Sequence, residues 1–324
     1  MISGFLITRS YVERNHGLAR FPVHRALRIY PALWLQYVAA IVLMFVTGGF
    51  FLPTLVDSRF WAWLGYAGVV GSNFWASVLT AYTPFSYDGL YKWYPADVLW
   101  TIPVELGFYL LVPVVFARVL VRRGWAGPLA AILAAMSIAI AYYAGPLLRD
   151  HGNLNTTGML HSSPGPYFWL FLAGGLAALY WNRVSRLFAG TVWWWVLVDA
   201  AAGGVNWLMK GTVSLPYRIP DELTVPRALI LAGLVIALAH SYPRLSQWLR
   251  GVDLSYGLYL FHLPLPFGLH YAGIGGSLWL VAGSMVVAFV LAGLSWVLVE
   301  SPALALKARI DRSGWLTRLR MSQT

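Results

Sequence analysis

A chain of 324 residues that is 59% hydrophobic and only 11% charged is not a soluble domain, where roughly a quarter of the residues carry charge. Its net charge of +11 does not point to nucleic acid either, because most of the basic residues flank apolar runs, as an oriented membrane protein requires. The chain has no cysteine, which excludes disulfides, a thiolate nucleophile, cysteine-based metal sites and palmitoylation.

Taken in chain order, Ile2–Ile7 is a short apolar run that meets Arg9 and stops. It is too short to span, and it lacks the charge-first order of a secretory signal. It reads as the cytoplasmic end of a helix that begins before Met1. Eight crossings are predicted, at about 30–52, 98–120, 126–147, 166–182, 191–209, 226–242, 254–271 and 277–299. A run of about 20 residues at roughly 1.5 Å each covers a hydrocarbon core of roughly 30 Å. With these boundaries the basic residues sort by side. Arg9, Arg14, Arg20, Arg25 and Arg28 precede the first crossing, and clusters at Arg118–Arg123, Arg183–Arg186, Arg244–Arg250 and Lys307–Arg320 fall on the same face. Arg59, Lys92, Arg149, Lys210, Arg218 and Arg227 fall on the other. The bias of 17 to 6 places both termini in the cytoplasm.

Residues 60–80 are apolar enough to cross, but a crossing there would move every later cluster to the other side. They are therefore expected to be re-entrant or interfacial, and Gly65, Gly68, Gly71 and Asn73 agree with irregular backbone. The fold class expected is an all-α, polytopic membrane helix bundle with about eight crossings and one such segment. Residues 1–302 form the membrane domain and 303–324 a basic tail on the membrane surface.

Within the second crossing, Thr101-Ile-Pro-Val-Glu105-Leu-Gly-Phe-Tyr109 holds one carboxylate in an uncharged apolar run. An ionisable group inside a span marks function by default, although Glu105 protonated or hydrogen-bonded to a neighbouring helix is the structural alternative. Glu105 is about seven residues, roughly 10 Å, from the outer end of its helix, and His262 lies nine residues past Asp253, roughly 13 Å from the inner end of its own. Both fall in the middle third of the core, where a His–Glu pair can shuttle a proton or orient a hydroxyl. The alternative for His262 is a core histidine bonded to a carbonyl ahead of Pro264 or Pro266. Arg25 and Arg28, three apart, share a helix face at the membrane entrance. They suit phosphate through the planar guanidinium fork, or they are positive-inside anchors only. Glu300 either pairs with Arg25 or Arg28 or is a plain helix-end carboxylate. The aromatic loop from Tyr82 to Asp97 fits a sugar site or, more simply, an interfacial belt. His151 and His161 make no metal signature, and no metal is expected. Of the other histidines, His240 is close to an inner helix end and His270 near an outer end, while the rest, His24 among them, lie in flanking segments.

Five motifs carry a resemblance. Ser3–Thr8 resembles the end of the second helix of acyltransferase family three, the membrane O-acyltransferases related to the O-antigen acetylases. Arg25-Ala-Leu-Arg28-Ile-Tyr30-Pro31 resembles its paired-arginine motif. Trp100–Tyr109 looks like its tryptophan–glutamate–Phe-Tyr signature. Ser255-Tyr256-Gly257-Leu-Tyr-Leu-Phe-His262-Leu-Pro264 and Val299-Glu300-Ser-Pro302 look like its closing motifs. They occur in order across nearly the whole chain.

The resemblance implies transfer of an acyl group, usually acetyl, from acyl-CoA as co-substrate to a hydroxyl of a glycan or other envelope or secondary-metabolite acceptor. No permanently bound cofactor is expected. The implied roles are catalytic for Glu105 and His262, acyl-CoA binding for Arg25 and Arg28, and structural or orienting for Glu300, Tyr30, Ser255 and Tyr256. The implied location is a bacterial inner membrane. The family's first helix carries a histidine base, which would precede Met1, so the 324-residue form is expected to be nearly inactive without it. The competing class is a transporter or flippase of an envelope intermediate.

The charge bias is open to direct test. Reporter fusions after Arg59 and after Pro84 are expected to report the same, outer side of the membrane, and opposite sides would refute the eight-crossing topology.

Overall fold

The computed structural model describes residues 1–14, 20–46, 52–82, 97–115, 126–144, 147, 154–211, 224–241, 251–264, 266 and 278–313. Helices account for all regular structure among them, with no strand. The chain divides into two compact units, one of residues 1–15 and 104–251, the other of residues 16–103 and 252–324.

Most elements of the first unit run in unbroken chain order. Helix α1 (Ile2–Arg14) extends past the apolar run into the basic stretch. The second unit supplies α2 (Arg20–Val46), α3 (Ser58–Val70), α4 (Asn73–Thr80) and the start of α5 (Thr101–Val115). From Val104 of α5 onward the first unit continues through α6 (Ala126–Ala139) and a π-helical turn, Ile140–Ala144. Then come α7 (Leu154–His161), α8 (Phe168–Leu179), α9 (Trp181–Phe188), α10 (Val192–Lys210) and α11 (Thr224–Ser241). The second unit closes with α12 (Ser255–Phe261), α13 (Leu278–Ser295), a π-helical turn at Trp296–Glu300 and α14 (Ser301–Ser313).

In the first unit α1 packs on α8, and two glycines permit it. A Cβ on Gly4 would lie 2.2 Å from the Phe171 carbonyl oxygen, and one on Gly174 would lie 2.0 Å from the Met1 carbonyl oxygen. Neither neighbour can yield, because both are backbone. Close backbone approach through small residues is how helices associate where lipid removes the hydrophobic driving force. Phe108 of α5 stacks on Phe171 with centroids 4.2 Å apart. Ser137 of α6 donates to the Gly165 carbonyl at 2.6 Å and accepts from the Trp169 N–H at 3.1 Å, fixing α6 against the start of α8.

In the second unit, Gly71 and Ser72 divide residues 60–80 into two helices. Gly71 adopts φ 74° and returns its N–H to the Ala67 carbonyl, a left-handed stop that glycine takes without strain. Ser72 then caps α4 by accepting from the Trp75 N–H. Trp63 anchors both pieces: it is fully buried, meets Tyr37 edge-to-face at 6.4 Å and donates through Nε1 to Ser77 at 3.1 Å. The segment is therefore not one plain span.

Helices of spanning length match the eight expected crossings in part. Among the described residues, four helices are long and apolar enough to cross: Phe21–Leu43, Gly127–Ala144, Thr224–Ser241 and Trp279–Lys307. A bent pair, Trp181–Phe188 with Val192–Met209 at 78°, makes at most a fifth. The predicted crossings at 98–120 and 166–182 contain shorter apolar helices, Val98–Leu111 and Gly165–Leu179. At 254–271 the helix ends at Phe261. Pro264 has no N–H to give the Leu260 carbonyl, which stops α12 after two turns. Apolar composition located each run, whereas local backbone features such as Gly211 after α10 and Pro264 after α12 ended individual helices. The first crossing also begins earlier than expected, because α2 starts at Arg20 and carries its arginines inside the helix. Residues 83–96 of the aromatic loop, His151, and the tail beyond residue 313 lie outside the described residues.

The glycine contacts predict that Gly174→Leu forces α1 off α8. The variant is expected to lose about 3 kcal/mol, the upper end of the usual overpacking cost, read as earlier thermal unfolding in detergent, whereas Gly204→Ala, with open space at its Cβ, leaves unfolding unchanged.

Candidate functional site

The entrance of α2 gathers most of the residues singled out from the sequence. Arg25 lies over the Phe21 ring one turn earlier, with 5.4 Å from guanidinium carbon to ring centroid. Arg28 Nη2 donates to Asp253 Oδ2, closing an ion pair across 225 residues. Asp253 is held in turn by Ser255, whose backbone N–H donates at 3.1 Å and whose hydroxyl donates at 2.5 Å to Oδ1. Tyr256 donates to the Ile29 carbonyl at 3.1 Å and ties α12 to α2. Tyr30 donates to the Val69 carbonyl at 2.7 Å and ties α3 to α2. Ser255, Tyr256 and Tyr30 thus fix the helix that presents the two arginines.

Glu300 is placed differently from the expectation of a direct pair with Arg25 or Arg28. It is buried, and Oε1 accepts from Ser295 at 2.9 Å. Arg28 and Asp253 are near enough for their charges to act on it, but the ion pair of Arg28 is with Asp253. A π-helical turn carries Glu300, and that extra residue per turn swings its carboxylate towards α12. There, a Cβ on Gly257 would lie 3.1 Å from Oε1.

His262 caps α12 after its two turns. Its ring Nδ1 lies 2.8 Å from the Tyr259 carbonyl and 3.2 Å from the Leu258 carbonyl. A carbonyl only accepts, so Nδ1 carries the proton, and Nε2 of the neutral ring keeps its lone pair. Tyr259, one turn earlier, donates to the Val98 carbonyl at 2.7 Å and bonds to Thr101. The side chains beside His262 are thereby fixed.

Glu105 belongs to the first unit and His262 to the second. Glu105 accepts from the Ser3 hydroxyl at 2.7 Å and from the Tyr109 hydroxyl at 3.3 Å. Both carboxylate oxygens therefore have donors, one of them on α1, which is the structural alternative raised by the sequence. That arrangement leaves lone pairs on each oxygen.

Three features escaped the sequence reading. Asp253 served only as a boundary marker, although Asp-x-Ser ahead of a helix is a cap-like signal. Asp199 lies inside the predicted crossing 191–209, and Arg227 was counted among the outer-face charges. They form a pair at 4.0 Å between α10 and α11, with the Arg227 side chain 9% exposed. The rule that singled out Glu105 applies equally to Asp199. His24, placed in a flanking segment, is 5% exposed on α2 beside Arg25 and one turn before Arg28.

A protein family described as Acyltransferase domain matches residues 1–299. Nodulation protein 10 of Rhizobium leguminosarum bv. viciae is 36% identical over 317 residues, which cover 96% of this chain and 82% of that protein. No solved structure matches the chain.

Burial disfavours the charged form of Asp253, but the Ser255 hydrogen bonds and the Arg28 charge outweigh it and hold the carboxyl below its ordinary value. A carboxyl depressed on folding adds stability above its unfolded value of roughly 4 and loses it as pH falls through the folded value. Asp253→Asn is therefore expected to destabilise the protein at pH 7 by about 1 kcal/mol, a modest figure because solvent screens this half-exposed pair. The deficit should shrink as the pH of a detergent melting series falls below that range, and a deficit independent of pH would refute the ion-pair role.

Proposed function

Because the chain belongs to the acyltransferase-domain family, we propose that it moves an acyl group, acetyl in the simplest case, from acyl-CoA to a hydroxyl of a carbohydrate or another envelope or secondary-metabolite acceptor. The protein is an acyltransferase with apolar helices of membrane-spanning length. The donor, the acceptor class and the inner-membrane location with both termini cytoplasmic are our reading. A carrier without chemistry, the alternative left by the sequence, gives way to the family membership.

The observation that carries the donor reading is the fixed guanidinium of Arg28. Asp253 takes one N–H of its fork. The guanidinium has five N–H donors in a plane, and those not given to Asp253 suit a phosphate. Arg25, three residues earlier on the same helix, adds a second cation. An acyl-CoA carries its phosphates on the cytoplasmic side, where the basic bias of the chain lies, and extends its acyl arm into the protein.

In this reading the acceptor hydroxyl oxygen attacks the thioester carbonyl carbon. The new C–O bond forms, the C–S bond breaks, and the hydroxyl proton passes through a base to the departing thiolate. Nε2 of His262 suits that base, since the Nδ1–H bond to the Tyr259 carbonyl sets its tautomer. Glu105, bonded by Ser3 and Tyr109, suits a catalytic carboxylate of the first unit. Ser255, Tyr256, Tyr30 and Glu300 position Arg28 and the helices around it.

The test uses a property of the chain itself. With no cysteine present, a thiol reagent reads only the CoA released. Arg28→Ala is expected to raise KM for acyl-CoA about tenfold to a hundredfold, the worth of a charge-assisted hydrogen bond, and Arg28→Lys to recover only part of it. An unchanged KM for acyl-CoA in Arg28→Ala would remove the phosphate role.

A further inference from the structure

Gln36 is the polar side chain of α2 that the reading above leaves without a purpose. It is fully buried, at 0% exposure. Its Oε1 and Nε2 have no hydrogen-bond partner among the described residues. A primary amide sealed in a membrane-spanning helix without a partner costs about 1–3 kcal/mol or more. A leucine at this position would avoid that cost. The other side chains of the buried stripe, Ala32 one turn before and Ala40 one turn after, are both small and also fully buried.

The position of Gln36 along α2 gives the amide a meaning. It lies eight residues beyond Arg28 and eleven beyond Arg25 on one continuous helix, about 12 and 16 Å deeper along the axis at the usual rise. Eleven residues are close to three whole turns, so Gln36 and Arg25 share a face. A helix that grips phosphates at its entrance therefore offers, on the same side and deeper in, one amide with a free acceptor and two free donors. The pantetheine arm of an acyl-CoA leads away from the phosphates and carries secondary amides before its sulfur. Each such amide presents a carbonyl and an N–H, the complement of a glutamine side chain. A cation would be met by carboxylate oxygens rather than an amide, and a lipid tail offers nothing for an amide to bond.

We propose that Gln36 is a donor-binding residue that hydrogen-bonds an amide of the pantetheine arm and so sets how deep the thioester enters the protein. This rests on the reading of Arg25 and Arg28 as the phosphate site. Among the described residues the amide has no partner, and the arm would complete it. Apolar arms of the same length gain nothing from it, and a site built to hydrogen-bond a ligand group discriminates strongly against ligands lacking that group.

The experiment compares three probes on the purified full chain in detergent: CoA, S-acetylpantetheine, and the adenosine bisphosphate head group without its arm. Gln36→Leu and Gln36→Met are expected to weaken CoA and S-acetylpantetheine about tenfold, the loss of one good hydrogen bond, and to leave the head group unchanged. Arg28→Ala is expected to weaken CoA and the head group and to leave S-acetylpantetheine unchanged. Both Gln36 variants should unfold no earlier than the parent chain, because an unpaired buried amide is removed. Undiminished binding of CoA and S-acetylpantetheine by both Gln36 variants overturns the proposal, as does earlier unfolding of both, which would give the amide a structural partner. An effect of Gln36 on the acceptor alone overturns it too. If Arg28→Ala leaves head-group binding intact while the Gln36 variants lose the arm, the phosphate reading fails and the Gln36 assignment stands.

Discussion

A guanidinium carried inside an apolar helix must be neutralised by the protein itself, and the Arg28–Asp253 ion pair does this for the second unit. Asp253 is available only because Ser255 orients it from the first turn of α12. Tyr256, the next residue, bonds to the backbone of α2 beside Arg28. The start of α12 is therefore locked to the entrance of α2 through one ion pair and one carbonyl bond. Glu300 approaches from the π-helical turn after α13 and adds a buried carboxylate to the same cluster. Removing one member of such a group leaves another uncompensated, and the partial exposure of the ion pair keeps that cost modest.

The same constraint explains the polar contacts of the first unit. Glu105 has donors on both oxygens, from α1 and from its own helix. Asp199 and Arg227 face each other between α10 and α11. Ser137 gives its hydroxyl to the Gly165 carbonyl and accepts from the Trp169 N–H, bridging the start of α8. Each solves the same problem, since a bilayer offers no water to satisfy a stranded group. Against that background an unpartnered amide such as that of Gln36 stands out as an exception that a ligand would remove.

Backbone interruptions shape the rest. The stop at Gly71, the restart at Ser72, the end of α12 before Pro264 and the two π-helical turns all occur where a plain hydropathy reading sees continuous apolar sequence. Two of them re-aim a side chain. The end of α12 frees the Tyr259 carbonyl for the His262 ring, and the turn at Trp296–Glu300 directs Glu300 towards Gly257. Irregular backbone at membrane depth persists only where protein covers it, and in this chain it coincides with the residues assigned to chemistry.

The sequence by itself determined the class of the protein. Low charge, long apolar runs and flanking arginines require a helical membrane protein, and five short motifs in order identify the family that the domain match over residues 1–299 establishes. It also located Arg25, Arg28, Glu105, His262 and Glu300, because an ionisable group in apolar surroundings is visible in one dimension. Only the tertiary structure decided their partners. Asp253, not Glu300, pairs with Arg28, and nothing local in the sequence connects positions 225 residues apart. Glu105 is engaged by Ser3 across 102 residues. The backbone contact that makes Gly4 and Gly174 obligatory is equally remote. Hydropathy and spacing report what each segment is, whereas hydrogen-bond partners, tautomers and helix ends depend on which segments meet. That is why the burial of His24 and Gln36 and the pairing of Asp199 with Arg227 went unread until neighbouring helices were in place.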